Sequence, residues 1–175
     1  MAIINENELT KKIIQEIAEI MVIAARTAPK GRGLNFLDVK IATDQDIERI
    51  SLKMKDIGEK KQRSSFIRDA ENILSAEAIV LIASKIQHID LNCGMCGFET
   101  CAEKNIKTPC VFNTVDLGIA IGSAASTASS FKADNRIMYT VGQAVLDLNI
   151  FSKDYIIIFG IPLASLSKNP FYDRK

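Results

Sequence analysis

Hydrophobic residues recur at three- and four-residue intervals in several segments, a spacing typical of helices that bury one face. The first predicted helix runs from about Glu8 to Arg26, and its inward positions are Leu9, Ile13, Ile17, Ile20, Met21 and Ala24. Thr43 and Asp46 are placed to cap a second helix, which stops near Gly58. Shorter helices are predicted around 68–74 and over 135–148. The apolar face of the first helix predicts that it packs on a sheet.

Three segments have the apolar pattern of strands. Leu37, Val39 and Ile41 alternate with polar neighbours, which indicates a strand with one buried face. The runs AIVLIAS (78–84) and DYIIIFG (154–160) are short and continuous, which favours buried strands, and a GIPLA turn is expected after the second. Helices and strands alternate without an internal repeat or a low-complexity linker. We therefore expect a single domain over residues 1–175.

The composition excludes several classes of partner. Of the 175 residues, 47% are hydrophobic and 25% are charged, with a net charge of +1, so neither disorder nor bulk attraction to nucleic acid is indicated. The chain has no uninterrupted apolar run of about 18 residues, and its beginning lacks the pattern of a signal peptide. We therefore expect a cytoplasmic protein without a membrane partner. In a reducing cytoplasm, clustered cysteines are more often metal ligands or redox groups than disulfides.

The stretch LNCGMCGFETC (91–101) holds three of the four cysteines of the chain. The full pattern is C-x2-C-x4-C-x8-C, formed by Cys93, Cys96, Cys101 and Cys110. A cuboidal iron–sulfur cluster needs one thiolate on each of its irons, so several ligands come from one curled loop. Glycines in the loop tolerate positive φ and let backbone N–H groups approach the sulfides. The spacing favours a [4Fe-4S] cluster embedded in residues 91–110.

Three other interpretations of the cysteines stay open at this point. A structural zinc site also uses four thiolates, but commonly as two separated C-x2-C knuckles, and this chain has one. A dithiol redox pair at Cys93 and Cys96 leaves Cys101 and Cys110 without a role. Buried structural cysteines rarely cluster in a glycine-rich loop.

The motif N-C-G-x-C-G-x-x-x-C, present here from Asn92 to Cys101, resembles that of the four-iron domains in corrinoid iron–sulfur proteins and electron-transport-complex B subunits. Those domains usually place the fourth cysteine further along the chain than Cys110. The whole chain resembles a family of prokaryotic proteins that contain a ferredoxin domain, a resemblance that implies cluster binding but no particular reaction. The segments that carry it are AARTAPKGRG (24–33), FIRDAENI (66–73), LNCGMCGFETCAEK (91–104), PCVFNTVDLGIAIGSAAS (109–126), DNRIMYTVGQA (134–144), GIPLA (160–164) and KNPFYDRK (168–175).

The order of elements also resembles the nitroreductase-like flavoproteins, through the AARTAPKGRG turn, the DLGIAIGSAAS helix and the final GIPLA turn. That resemblance implies an α+β fold with helices around a mixed or antiparallel sheet, an intertwined homodimer and bound FMN. The arginine-rich motif that holds FMN phosphate has no counterpart before Glu8, and the asparagine of the family's turn falls at Gly33. The candidate phosphate ligands that remain are Lys30, Arg32, Arg174 and Lys175. Exposed lysines and arginines are otherwise solvated surface charges.

Other polar residues have weaker claims to function. His88, the only histidine, is either a plain loop residue or a proton-coupling group near the cysteines. The pairs Arg68–Asp69 and Asp134–Arg136 are expected to form ion pairs that support the fold, with ligand contact as the alternative.

The sequence therefore predicts a redox protein with one [4Fe-4S] cluster that transfers electrons with a partner protein or a small acceptor. Bound FMN would make it an oxidoreductase. The alternative is a non-enzymatic sensor or interaction domain in which a cluster, or a zinc ion held by the four cysteines, is structural.

Overall fold

The computed structural model describes residues 3–105 and 107–173, which form helices on both faces of one sheet. Its α-helices are α1 (Glu6–Thr27), α2 (Gln45–Lys60), α3 (Ser64–Asn72), α4 (Val111–Ser130) and α5 (Tyr139–Asp147). Its strands are β1 (Leu37–Ala42), β2 (Ala78–Lys85), β3 (Asp134–Asn135) and β4 (Tyr155–Ala164). Short 3-10 turns lie at Gly31–Gly33, Ile73–Ser75 and Pro170–Tyr172.

The sheet has the strand order β1-β2-β4-β3, and each neighbouring pair is antiparallel. This confirms the predicted α+β class, with helices around an antiparallel sheet. β2 lies between β1 and β4, so that Leu81 faces Lys40 on one side and Gly160 on the other. Its side chains alternate between the two faces of the sheet. The continuous apolar run of β2 follows from this position, because both faces of the strand are covered.

Two hydrophobic cores lie on opposite faces of the sheet. α1 and α4 pack side by side over one face, with Val80 and Ile82 of β2 beneath them. α2, α3 and α5 cover the other face, where Ile79 and Leu81 point. Burying each such side chain contributes about 1.5–3 kcal/mol. Within 3–105 and 107–173, none of the helices combines the length and the apolar character needed to cross a membrane.

The first predicted helix is confirmed, and it packs on the sheet as expected. Its predicted inward face is partly wrong. Leu9, Ile13 and Ile20 are 44%, 41% and 40% exposed, whereas Ile14 and Ala18 are buried. α1 carries apolar residues around more than one face, so periodicity alone does not identify the face that meets the sheet.

Several predicted boundaries are corrected by the structure. α2 begins after Asp44 with no side-chain cap, so the predicted capping by Thr43 is wrong. α3 begins at Ser64 rather than near residue 68. α5 begins at Tyr139 rather than at Asn135, because Asn135 lies in β3 and Met138 pairs with Gly160 of β4. The predicted GIPLA turn is wrong, because β4 continues through this segment while it pairs with β2 and β3.

Candidate functional site

The cysteine loop joins the end of β2 to the start of α4, and its described residues between 86 and 110 form turns rather than helix or strand. Four of its residues have left-handed backbone angles: Asp90 (φ 54°), Asn92 (φ 47°), Gly94 (φ 70°) and Gly97 (φ 87°). Glycine adopts these angles without a steric penalty, and the positive φ predicted for glycines in the loop is confirmed at Gly94 and Gly97. The Gly97 N–H donates to the Gly94 carbonyl at 2.9 Å and closes a turn between the first two cysteines. These turns bend the loop back on itself, so that its cysteines face a common side.

All four cysteines line one small cavity under this loop. Each is a free thiol, and they differ in depth. Cys93 is exposed, Cys96 and Cys101 are half-buried, and Cys110 is 6% exposed. The structure therefore brings the four predicted ligands together between the protein surface and the core.

Cys110 is the N-cap residue of α4, and its side chain makes no capping hydrogen bond. The first N–H groups of a helix lack partners within the helix, and the helix dipole places partial positive charge there. A negatively charged thiolate or cluster is favoured at such a position. α4 is 20 residues long and packs on the sheet, so it provides a rigid base for this ligand.

Cys101 is joined to Asn92 by two hydrogen bonds. The Asn92 N–H donates to Cys101 Sγ at 3.4 Å, and the Cys101 N–H donates to Asn92 Oδ1 at 2.8 Å. The two bonds close a ring across nine positions of the chain and fix Cys101 against the beginning of the loop.

His88 lies beside Cys101. One of its ring nitrogens, a carboxylate oxygen of Asp90 and Cys101 Sγ all lie within 4.8 Å of one another. His88 Nδ1 is buried and 2.7 Å from Asp90 Oδ1, yet the geometry is not that of a hydrogen bond. The ring thus belongs to the surroundings of the cysteine cavity, and its proton-coupling role stays a prediction.

Asn113, which sequence reasoning missed, holds the start of the cysteine loop against α4. It is 2% exposed, and its Nδ2 donates to the Lys85 carbonyl at 3.2 Å and to the Gln87 carbonyl. The buried asparagine thus satisfies backbone carbonyls at the end of β2 and in the first residues after it. The available signal in the sequence was an amide side chain in the first turn of a helix rich in small and apolar residues.

The turn after α1 contacts both α4 and the cysteine loop. The Gly31 N–H donates to both carboxylate oxygens of Asp116, each at 3.0 Å, and Asp116 is 5% exposed. The Arg32 guanidinium donates to the Ile89 carbonyl at 2.8 Å. Gly31 also packs closely against Ile89 and Phe112, both of which line the cysteine cavity. The two predicted cofactor regions are therefore neighbours.

The cations proposed to bind phosphate are engaged with the chain itself. The Lys30 ammonium donates to the carbonyls of Ala25, Arg26 and Ala28 at 3.0, 2.9 and 2.6 Å, and so caps the end of α1. Burial lowers the pKa of Lys30 below its usual range, and the Asp116 carboxylate opposes this shift. A phosphate would have to displace these bonds and that of Arg32. Arg174 and Lys175 lie outside the described residues, so the phosphate role of all four stays a prediction.

A separate ionic network connects α3, α5 and the C-terminal segment. The Asp69 carboxylate, 3% exposed, accepts hydrogen bonds from Arg68 at 2.7 and 2.9 Å, Arg136 at 3.2 Å and Thr140 at 2.8 Å. Arg136 also donates to the Phe171 carbonyl at 2.7 Å. These contacts confirm the structural ion pair predicted for Arg68 and Asp69. Arg136 pairs with Asp69 rather than with its neighbour Asp134, whose carboxylate accepts from the Leu166 N–H.

Solved structures with this fold include flavoproteins. A nitroreductase with bound FMN from Desulfitobacterium hafniense superposes with a TM-score of 0.61 at 16% identity, covering 91% of this chain and 82% of that one. The hypothetical oxidoreductase YcnD from Bacillus subtilis gives a TM-score of 0.59 at 18% identity over 89% of this chain. This chain spans 59% of YcnD. At these identities the likeness establishes a nitroreductase-like fold.

Sequence comparison identifies relatives over nearly the full length. An uncharacterized protein from Archaeoglobus fulgidus is 36% identical over 182 aligned positions, which cover 98% of this chain and 97% of that protein. Residues 107–174 match the model of a family described as uncharacterized proteins containing a ferredoxin domain. That region includes Cys110 and follows the other three cysteines. The chain therefore belongs to this family of proteins that contain a ferredoxin domain.

Proposed function

We propose that the chain binds one [4Fe-4S] cluster through Cys93, Cys96, Cys101 and Cys110 and transfers single electrons. The observation that carries this proposal is the convergence of four free thiols on one cavity, three from a curled loop and one from a helix N-terminus. Membership in the ferredoxin-domain family supports the same cofactor. A reducing cytoplasm, in which the thiols stay free to bind metal, is the compartment that suits it.

The bound cluster supplies one-electron chemistry, with a potential set by its charge, its exposure and hydrogen bonds to its sulfurs. The four thiolates hold the irons, while the first N–H groups of α4 favour the negative charge of the centre. Ile89, Phe98 and Phe112 contribute apolar side chains to the lining of the cavity, and Ile89 is buried. Cys93 is exposed, so an electron donor or acceptor could approach the cavity from the side of this thiol. Either a redox partner protein or a small acceptor suits this exposed side.

A flavin-dependent oxidoreductase is the second candidate. The nitroreductase-like fold favours it, as does the contact between the turn carrying Arg32 and the cysteine loop at Ile89. Against it, Lys30 and Arg32 are bonded to carbonyls of the chain, and the described residues form no ready phosphate site there.

Cofactor analysis of anaerobically purified protein tests the proposal. We expect about four irons and four acid-labile sulfides per chain, with a broad visible absorbance that bleaches on reduction. Iron, sulfide, zinc and flavin are measured on the same sample. Zinc without iron would refute the cluster and favour a structural zinc site, with four cysteine ligands, in an interaction domain. Stoichiometric flavin beside iron would establish the second candidate.

We also propose that two copies of the chain pair through α1 and α4. α4 exposes Val115 and Ile119 at 49% and 41%, and its only charged residue, Asp116, is buried. Ile13 and Ile20 of the adjacent α1 are exposed as well. A long uncharged helix face beside exposed isoleucines is typical of a surface covered by another subunit.

Ile119→Asp is expected to convert a dimer to a monomer, because the new carboxylate would have to be buried without a partner in the interface. Light scattering on wild type and variant at matched concentrations measures the change in mass. Leu52→Asp is the matched control, since Leu52 is 69% exposed on α2, which covers the opposite face of the sheet. A monomeric wild type, or equal dimer content in both variants, would contradict this interface.

A further inference from the structure

We propose that Asn92 is a positioning residue that fixes Cys101 as a metal ligand and raises the reduction potential of the centre. This inference rests on the proposed function. It goes beyond that function because it assigns the stability and the potential of the centre to a residue that is not itself a ligand.

The backbone of Asn92 makes the first contribution. Its φ of 47° lies in the left-handed region, which asparagine tolerates better than most residues. In this conformation the Asn92 N–H points across the loop and donates to Cys101 Sγ at 3.4 Å. Among the hydrogen bonds of the described residues, it is the one that ends on a cysteine sulfur. A donor to a ligand sulfur favours the more negative, reduced state and so raises the potential.

The side chain of Asn92 makes the second contribution. Its Oδ1 accepts the Cys101 N–H at 2.8 Å, which fixes the backbone of Cys101 before any metal arrives. Cys101 has no support from regular secondary structure, in contrast to Cys110 at the start of α4. Because the loop is largely exposed, the side-chain bond carries much of the order at this position. Loss of such a supporting contact typically costs about 10–100-fold in metal affinity.

The variant Asn92→Gly removes the side-chain contribution directly and loosens the backbone contribution, because the N–H is no longer anchored by the bond between Oδ1 and Cys101. Glycine adopts the same positive φ and retains the N–H, but it removes Oδ1. Asn92→Asp restores an oxygen acceptor at that position. The matched control is Asn105→Gly in the same loop. Asn105 Oδ1 accepts the Lys107 N–H at 2.9 Å, a bond of the same kind that touches no cysteine.

The experiment measures metal release to a chelator and the reduction potential, with each variant loaded anaerobically as holoprotein. For Asn92→Gly we expect release about tenfold faster than for the wild type, and a more negative potential because the N–H to Cys101 Sγ is no longer held in place. Asn92→Asp should recover slow release. Asn105→Gly should match the wild type in both measurements.

The two proposals fail in different ways. If the wild type holds four irons but Asn92→Gly and Asn105→Gly are alike in release and potential, the role of Asn92 is refuted and the cluster stands. If the wild type holds zinc instead, the cluster is refuted, and the release rates alone decide whether Asn92 positions Cys101. A wild type that binds no metal overturns both proposals.

Discussion

Cys110→Ala is expected to abolish four-iron loading of the anaerobically purified protein. Each iron of the cluster needs a thiolate, so without Cys110 one iron has no ligand from the chain. Of the four proposed ligands, Cys110 is the one that the fold holds most firmly, at 6% exposure and at the N-cap of α4. Iron content should fall from about four to below about three per chain, and the four-iron visible spectrum should be lost. Iron and sulfide analysis with a visible spectrum measures both changes.

Two further variants make this result specific. Cys96→Ala should lose four-iron loading to the same extent. Met95→Ala should keep it, because Met95 lies between Cys93 and Cys96 at 65% exposure and its replacement removes no thiol. A thermal melt of each apo-variant checks that the fold remains. Retention of four irons by Cys110→Ala, with loss by Cys96→Ala, would place the fourth ligand elsewhere. His88, beside Cys101, would then be the first residue to test.

The convergence of the cysteines could be predicted from the sequence because three of them lie within nine residues that also contain two glycines. The residues that surround the cavity could not be predicted in this way. Asn113 binds carbonyls 28 and 26 positions before it, and Arg32 binds the Ile89 carbonyl 57 positions after it. Such contacts depend on how α4 and the turn after α1 dock, which local spacing does not encode. From the sequence, Asn92 could be recognised as the first residue of the cysteine motif, but its two hydrogen bonds to Cys101 could not be predicted.

The same limit applies to the fold. The apolar run of β2 was sufficient to predict a buried strand, because its length and composition reflect a position with both faces covered. The start of α5 was misplaced, since Asp134–Asn135 pair with β4, and this pairing is a tertiary event. Leu9, Ile13 and Ile20 were assigned inward because apolar residues usually point to the core of their own chain. The proposed pairing of two copies through α1 and α4 would account for the exposure of Ile13 and Ile20.

Gly142→Ala is expected to destabilise the protein by about 3 kcal/mol, the upper end of the usual cost of overpacking, because the added methyl group overlaps the backbone of the neighbouring strand. Gly142 is buried in α5, and an ideal Cβ there would lie 1.6 Å from the Ile158 carbonyl oxygen of β4. A backbone atom cannot rotate away as a side chain does, so the helix itself would have to move off the sheet. The free energy of unfolding from chemical denaturation measures the loss.

The sign of the change in the free energy of unfolding decides between two effects, helix propensity and packing. Helix propensity alone predicts that glycine to alanine within a helix stabilises by about 1 kcal/mol, so packing and propensity make opposite predictions at Gly142. The adjacent, half-buried Gln143 provides the control, and Gln143→Ala should change the free energy of unfolding by less than about 0.5 kcal/mol. A Gly142→Ala protein as stable as the wild type would show that α5 does not approach β4 this closely. A large loss would show that Gly142 is required because no side chain fits between the helix and Ile158.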